Sequence, residues 1–324
     1  MRLMSVSIFL LLMWALLVSL SLTQGAVVLS LSDIWSVWQQ GTLTEHFVLW
    51  NHRLPRMIIA TLVGMSLALS GCMVQSVVRN PLASPDILGV TSAAALAVVG
   101  LLIYWPDANV HWIPFAALIG GFSAAGLLLL LTTKRLAEPS HLALIGLALG
   151  ALFSAIVDYL LSKYPLEING AMLWMTGSVW GRNWSHLPLI LPWLMVLVPG
   201  AIYLCYRLDV LSLGQEKAAS LGLKVTHLQV VTLLMAIALA SVSVSVCGAI
   251  AFVGLVAPHI ARFLMGGRHF PVIIIAMLLG AIILLAADIF ARAIAPPLEF
   301  PAGIFVAMIG APYFIFLITR YKHW

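Results

Sequence analysis

Ten long apolar runs, separated by short polar breaks, follow one another along this chain. A helix crosses a hydrocarbon core with about 20 mainly apolar residues, or fewer where neighbouring protein shields its ends. On that criterion the spans fall at residues 3–22, 57–78, 93–104, 113–133, 141–161, 187–206, 227–248, 256–265, 272–291 and 301–319. The third and eighth are short. The pattern predicts an all-α integral membrane protein with about ten transmembrane helices, forming a single domain over residues 1–324.

Composition agrees with this. Hydrophobic residues make up 63% of the sequence and charged residues only 8%, against roughly 25% charged in a soluble domain. Eleven acids and sixteen bases cannot coat a soluble chain of this length. The formal charge of +5 does not point to nucleic acid, because the bases stand singly or in pairs between apolar runs and form no basic stripe. Cys72, Cys205 and Cys247 each lie inside an apolar run without metal-ligand spacing, and read as buried structural thiols.

Two stretches imitate targeting signals. Arg2 and the apolar run after it resemble a signal peptide, but no small-x-small cleavage site follows, so a retained first helix is expected. Leu69-Ser70-Gly71-Cys72 resembles a lipoprotein box but lies far from the N-terminus. With a cytoplasmic N-terminus, Arg2, Arg79, Lys134, Arg135, Arg207, Lys217, Lys224, Arg262, Arg268, Arg320 and Lys322 fall inside, against five bases outside. The positive-inside rule expects this asymmetry, and an even number of spans returns the C-terminus to the cytoplasm. Trp35, Trp38, Trp50, Trp105, Trp112, Trp174, Trp180 and Trp184 fall near the outer ends, where indole rings favour the interface.

Residues 207–226 are the longest cytoplasmic connection between spans. Asp209 or Ser212 is a candidate cap, Gly214 a joint between two short helices, and the Ala-rich piece through Glu216, Ala218 and Leu221 stops at Gly222. Such a knob suits a partner's cleft and would let a soluble ATPase push on the spans. A plain surface loop is the alternative. The chain has no Gly-x-x-x-x-Gly-Lys-Ser/Thr phosphate loop and no extramembrane segment long enough for a nucleotide-binding domain, so any ATPase is a separate chain.

The pattern Leu-Gly-x-x-x-Ala-x-x-Leu-Gly over residues 213–222 resembles the coupling segment of the FecCD family of ABC-transporter permeases. Arg53-Leu54-Pro55-Arg56, Gly71 with Gln75, and the run Arg79-Asn80-Pro81-Leu82-Ala83-Ser84-Pro85-Asp86-Ile87-Leu88-Gly89-Val90 stand where that family has them. So do Gly248-Ala249-Ile250-Ala251-Phe252-Val253-Gly254-Leu255-Val256-Ala257-Pro258-His259, Asp288 to Arg292, and Leu298-Glu299-Phe300-Pro301-Ala302-Gly303. The likeness covers nearly the whole chain, in order. Ala93, where Gly is common, and Pro139 beside Ser140 depart from it.

The resemblance implies a type II ABC importer permease in a bacterial inner membrane. Its partners would be a second permease subunit, identical or sister, two cytoplasmic ATPase subunits and a periplasmic substrate-binding protein. No cofactor is bound directly; ATP and Mg belong to the ATPase. The cargo it implies is a ferric siderophore, ferric citrate foremost, with haem, cobalamin or another siderophore as alternatives. Asp209, Leu213, Gly214, Glu216, Ala218, Leu221 and Gly222 would form the ATPase-coupling segment. The central path would be lined by residues 141–161, 168–176 and 301–319, with Ser140 at the inner gate.

Arg53, Arg56 and Arg292 sit at outer span ends against the charge trend, and carboxylates of a docking binding protein would explain them. For Arg292 an intrahelical pair with Asp288, four residues earlier, is the alternative. Asp158 in the fifth span faces the bundle interior or a wet cavity, in a structural or a pathway role. His259 after Pro258 has no partner at ligand spacing and reads as a structural histidine. Asn80-Pro81 with Pro85, and the stretch from Gly248 to Pro258, interrupt helices in the two halves. A secondary transporter driven by protons or sodium would also use broken helices and buried acids, but has no need of the knob at residues 213–222.

Overall fold

The computed structural model describes residues 2–25, 29–30, 34–35, 46–132, 139–164, 172, 174–296 and 298–320. Among these residues the secondary structure is helical throughout. We number the helices α1 (Arg2–Thr23), α2 (Leu54–Val78), α3 (Val90–Tyr104), α4 (Ile113–Thr132), α5 (Pro139–Lys163), α6 (Leu187–Ser212), α7 (Gln215–Ser220), α8 (Val225–Cys247), α9 (Val253–Met265), α10 (His269–Ala293) and α11 (Ala302–Arg320). Each of the ten expected spans coincides with one of them, α7 being the extra piece. Seven are long and apolar enough to cross a bilayer, while α3, α9 and α11 are shorter apolar helices.

Local sequence explains most helix ends. Pro55 and Pro188 stand in first turns, where their missing N–H costs nothing. Arg79 (φ 54°) closes α2 in the left-handed region, just before Asn80 turns the chain by accepting from the Leu82 N–H at 2.8 Å. Gly89 (φ 76°) opens α3 with its bare Cα against Gly150. Gly248 and Gly266 end α8 and α9 with positive φ.

The bundle is built around α2, α8 and α10, whose apolar windows are mostly buried, with α1, α4, α5 and α6 more peripheral. Small residues let the central helices touch. A Cβ at Gly64 would collide with the Gly280 carbonyl of α10, and one at Gly71 with the Gly254 carbonyl of α9. Ser66 and Ser70 of α2 donate across to the α8 carbonyls of Leu239 and Ala236, at 3.1 and 2.6 Å. In lipid, close packing and such interhelical hydrogen bonds replace the hydrophobic drive that holds helices together in water. All three cysteines are buried and unbridged.

The two interrupted segments meet. Between α8 and α9 the backbone unwinds over residues 248–252, and Phe252 takes a φ of 68°. The break is closed by neighbours: the Ser178 N–H donates to Cys247 O at 2.8 Å, and the Gly303 N–H to Gly177 O at 3.0 Å. Irregular backbone at this depth persists only where protein satisfies it. Pro85, in the 3-10 turn Pro85–Leu88 of the first break, lies within 3.0 Å of where a Gly254 Cβ would stand.

Candidate functional site

At the end of the bundle where α1 stops and α2 begins, Arg53, Arg56 and Arg292 come together, each with under 10% of its surface exposed. Asp288, about one turn before Arg292 on α10, is wholly buried between two of them. Arg56 straddles it, donating from Nε and a terminal nitrogen at 2.8 to 3.1 Å, and reaches Glu299 with its other terminal nitrogen at 2.5 Å. Arg292 pairs with Asp288 at 3.4 Å and ties α10 to α1 through Ser21, whose hydroxyl accepts at 2.9 Å. Arg53 donates to the Leu22 and Thr23 carbonyls in the last turn of α1, where a helix runs out of its own N–H donors.

Three guanidiniums thus face two carboxylates. The surplus positive charge borders a cavity of about 310 Å³ lined by Arg53, Arg56, Arg182, Arg292, Glu299 and Trp180 among others. Of these, Trp180 and Glu299 stand at the exposed rim. The intrahelical Arg292–Asp288 pair is present, and Arg56 is the nearer partner of the same carboxylate.

The other end of α2 carries the second cluster. Arg56 and Ser76 are twenty residues apart on one helix, roughly 30 Å at 1.5 Å per residue. Here Asp209 does not cap a separate short helix: α6 runs unbroken through it to Ser212, whose hydroxyl bonds back to the Asp209 carbonyl. The apolar period of α6 carries the helix past the expected boundary, which leaves the Asp209 carboxylate free to reach across the bundle. It accepts from the His269 N–H at 2.8 Å and lies 2.6 Å from the ring Nδ1, holding the first residue of α10. The other ring nitrogen of His269 lies 2.8 Å from the Ser76 hydroxyl of α2. Nearby, Arg79 donates to Leu211 O at 3.3 Å, and Arg262 of α9 donates to the buried Gln75 at 3.4 Å. His269 and Ser76 gave no sequence signal, since nothing local pairs them with residues 60 or more positions away.

From this anchored end the connection projects. Gly214 (φ 117°) turns the chain into the six-residue α7, and Gly222 (φ 85°) turns it out again. Ala218 is fully buried against α6, whereas Leu213 and Leu221 are 58% and 66% exposed and Glu216 is exposed. The knob is one short helix between two glycine hinges. It leaves the apolar side chains of Leu213 and Leu221 exposed at the surface.

Asp158 is exposed on α5, on a flank that also exposes Leu144, Leu147, Leu152 and Tyr159. Met308, Ile309, Ile315 and Phe316 form a comparable exposed flank on α11. Ser140 stands in the first turn of α5, but its side chain, like residues 168–171 and 173 of the expected path, lies outside the described residues. So do Trp38, Lys134, Arg135 and Lys322. His259 is mostly buried, its ring edge-on to Tyr313 of α11 at 6.0 Å. Trp174 departs from its expected place at the interface. Its side chain is buried, with its carbonyl against Gly248 at the helix break.

The chain matches the FecCD transport family over residues 11–320. It is 43% identical over 303 residues to the Fe(3+) dicitrate transport system permease protein FecD of Escherichia coli (strain K12), covering 94% of both chains. It is 45% identical over 272 residues to the Fe(3+)-citrate import system permease protein YfmE of Bacillus subtilis (strain 168), covering 84% of this chain and 82% of that one. Among solved structures, an inward-facing metal-chelate-type ABC transporter superposes with a TM-score of 0.88 at 31% identity, over 98% of this chain and 99% of the other. With its helical bundle, its two clusters at opposite ends and its hinged knob, this multi-pass membrane chain belongs to the FecCD transport family.

Proposed function

We propose that this chain is the membrane permease subunit of an ATP-driven importer that moves a ferric chelate, ferric citrate foremost, across a bacterial inner membrane into the cytoplasm. The single observation that carries the reading is the knob at residues 213–222, hinged at two glycines and fixed through Asp209 to α10 and thence to α2. A separate ATPase that grips Leu213 and Leu221 moves the ends of several spans together, which is how an interface shift becomes a change of access.

The knob lies inside, with both termini, and the arginine cluster lies outside. There the cationic cavity suits a carboxylate from a binding protein, entering past Trp180 and Arg182 as a charge-assisted contact. Arg56 and Arg292 hold the rim in shape while their excess charge attracts the partner. A second permease subunit covers the exposed flanks of α5 and α11, because Asp158 cannot face lipid. The path then runs between the subunits. The chain itself performs no covalent chemistry, and ATP with Mg is handled by the partner.

The test is uptake of radioactive iron as ferric citrate, compared with other ferric siderophores, in cells with all other subunits present. A Gly214→Pro/Gly222→Pro chain, whose fixed φ near −65° cannot adopt the observed hinges, is expected to insert and to lose uptake. Uptake unaffected by the double substitution overturns ATP coupling through the knob. Selective uptake of another chelate keeps the permease and overturns the cargo.

A further inference from the structure

The outer flank of α6 and α8 carries a recess remote from the faces assigned to the path. Pro199 interrupts the hydrogen-bond ladder of α6, and Gly200 follows it without a side chain. A Cβ at Gly200 would lie 2.8 Å from the methyl of Met235 on α8, so the missing group is what leaves room there. The resulting cavity measures about 560 Å³. One part is apolar, formed by Gly200, Leu204, Val231 and Met235, and the mouth carries the cations Arg207 and Lys224 beside the His227 ring. None of the residues lining it is acidic.

Arg207 is held in place at this mouth. Its guanidinium lies 4.6 Å from the Tyr203 ring centroid and donates to the phenol oxygen at 2.9 Å, which leaves its other N–H donors for a ligand. Lys224 occupies the N-cap position of α8 without a side-chain cap, so the positive end of that helix adds to the field. Along α6 from Arg207 to Gly200, and along α8 from His227 to Met235, the walls descend about 10 and 12 Å at 1.5 Å per residue. A headgroup-sized cluster of cations thus leads directly into a slot of hydrocarbon character. The neighbouring flank of α6 is itself apolar and exposed, with Met195 and Val196 at 65% and 70%.

We propose that this recess binds one anionic phospholipid, its phosphodiester between Arg207, Lys224 and His227 and an acyl chain along Gly200 and Met235. Basic pockets between transmembrane helices favour anionic headgroups. A zwitterionic lipid brings its own cation toward Arg207 and Lys224 and is disfavoured. The mouth includes Gly222 and Leu223, which join the knob to α8, so a bound lipid braces the coupling segment. That the leaflet is the cytoplasmic one rests on the orientation proposed above, whereas the site itself does not.

The test uses the full-length protein, extracted in mild detergent, stripped of lipid and offered phosphatidylglycerol and phosphatidylcholine at equal concentration, with retained lipid quantified by mass spectrometry. About one phosphatidylglycerol per chain is expected, preferred over phosphatidylcholine. Each basic group near an anionic surface is worth about fivefold, so Arg207→Gln/Lys224→Gln lowers retention by roughly tenfold to thirtyfold. Arg207→Lys/Lys224→Arg retains the lipid, and Gly200→Leu loses it with the cations intact. Equal retention of the two lipids by the unaltered protein overturns the proposal without any variant, as does a folded double Gln variant that holds phosphatidylglycerol normally. Iron uptake is not read in this experiment, so failure of the transport reading and failure of the lipid site are told apart.

Discussion

Asp288 of α10 accepts from Arg56 of α2, 232 positions away in sequence, through three contacts of 2.8 to 3.1 Å, while no part of its side chain reaches solvent. Arg292 leans on the same carboxylate at 3.4 Å. One acid therefore compensates two buried cations, and Glu299 at the rim is bonded to Arg56. Removing one partner of a buried pair costs about 3–5 kcal/mol, because the other charge stays behind. Asp288→Asn is expected to lower thermal stability in detergent by that order. Adding Arg56→Met recovers part of it, which a double-mutant cycle on the melting transition measures.

Asp209 is bound to the first residue of α10 through both the backbone N–H and the ring of His269. Asp209→Ala removes an acceptor that acts as a helix cap from a distance, at about 1 kcal/mol. Hydrogen exchange is expected to quicken in residues 269–272 and at the knob while the C-terminal half of α10 keeps its protection. Unchanged exchange at both places would mean that the knob is not anchored through α10.

The small residues of the core are not equivalent. A methyl at Gly71 overlaps the Gly254 carbonyl, while one at Gly126 meets nothing within 4 Å. Gly71→Ala is expected to abolish accumulation of folded protein in the membrane. Gly126→Ala leaves it intact or raises stability by up to about 1 kcal/mol through helix propensity. Fluorescence-detected size exclusion separates the two.

Leu213 and Leu221 are mostly exposed on the knob. Leu213→Asp/Leu221→Asp is expected to leave the melting transition within about 0.5 kcal/mol, as for other surface changes. It should abolish co-purification of the cytoplasmic ATPase, measured by pull-down from membranes expressing all subunits.

The knob shows how far local sequence reaches. Gly214 and Gly222 marked its hinges because positive φ favours glycine, and both hinges are where the spacing placed them. Asp209 was legible as a capping residue but not as the cap of α10, since that role depends on α6 and α10 lying side by side. The same holds at the arginine cluster. Arg53, Arg56 and Arg292 stood out as charges in the wrong place, but their burial and the shared Asp288 follow from the approach of α2 to α10, which Gly64 and Gly280 allow. Trp174 looked like an interfacial anchor by position alone, but its side chain is buried in a cluster with Ala94, Val98, Val157, Leu160 and Val244, which come from helices far apart in the chain.

The sequence by itself determined the order of the ten apolar spans and the main places where they break, because apolar run length, proline and glycine act within a few residues of themselves. Tertiary structure alone decided which helix faces meet, that Asp288 serves two arginines, that His269 links Asp209 to Ser76, and that Gly200 opens a recess beside Arg207. Each of these is a contact between residues far apart in the chain. Such contacts are chosen by packing and charge compensation across the whole bundle, and no local pattern encodes them.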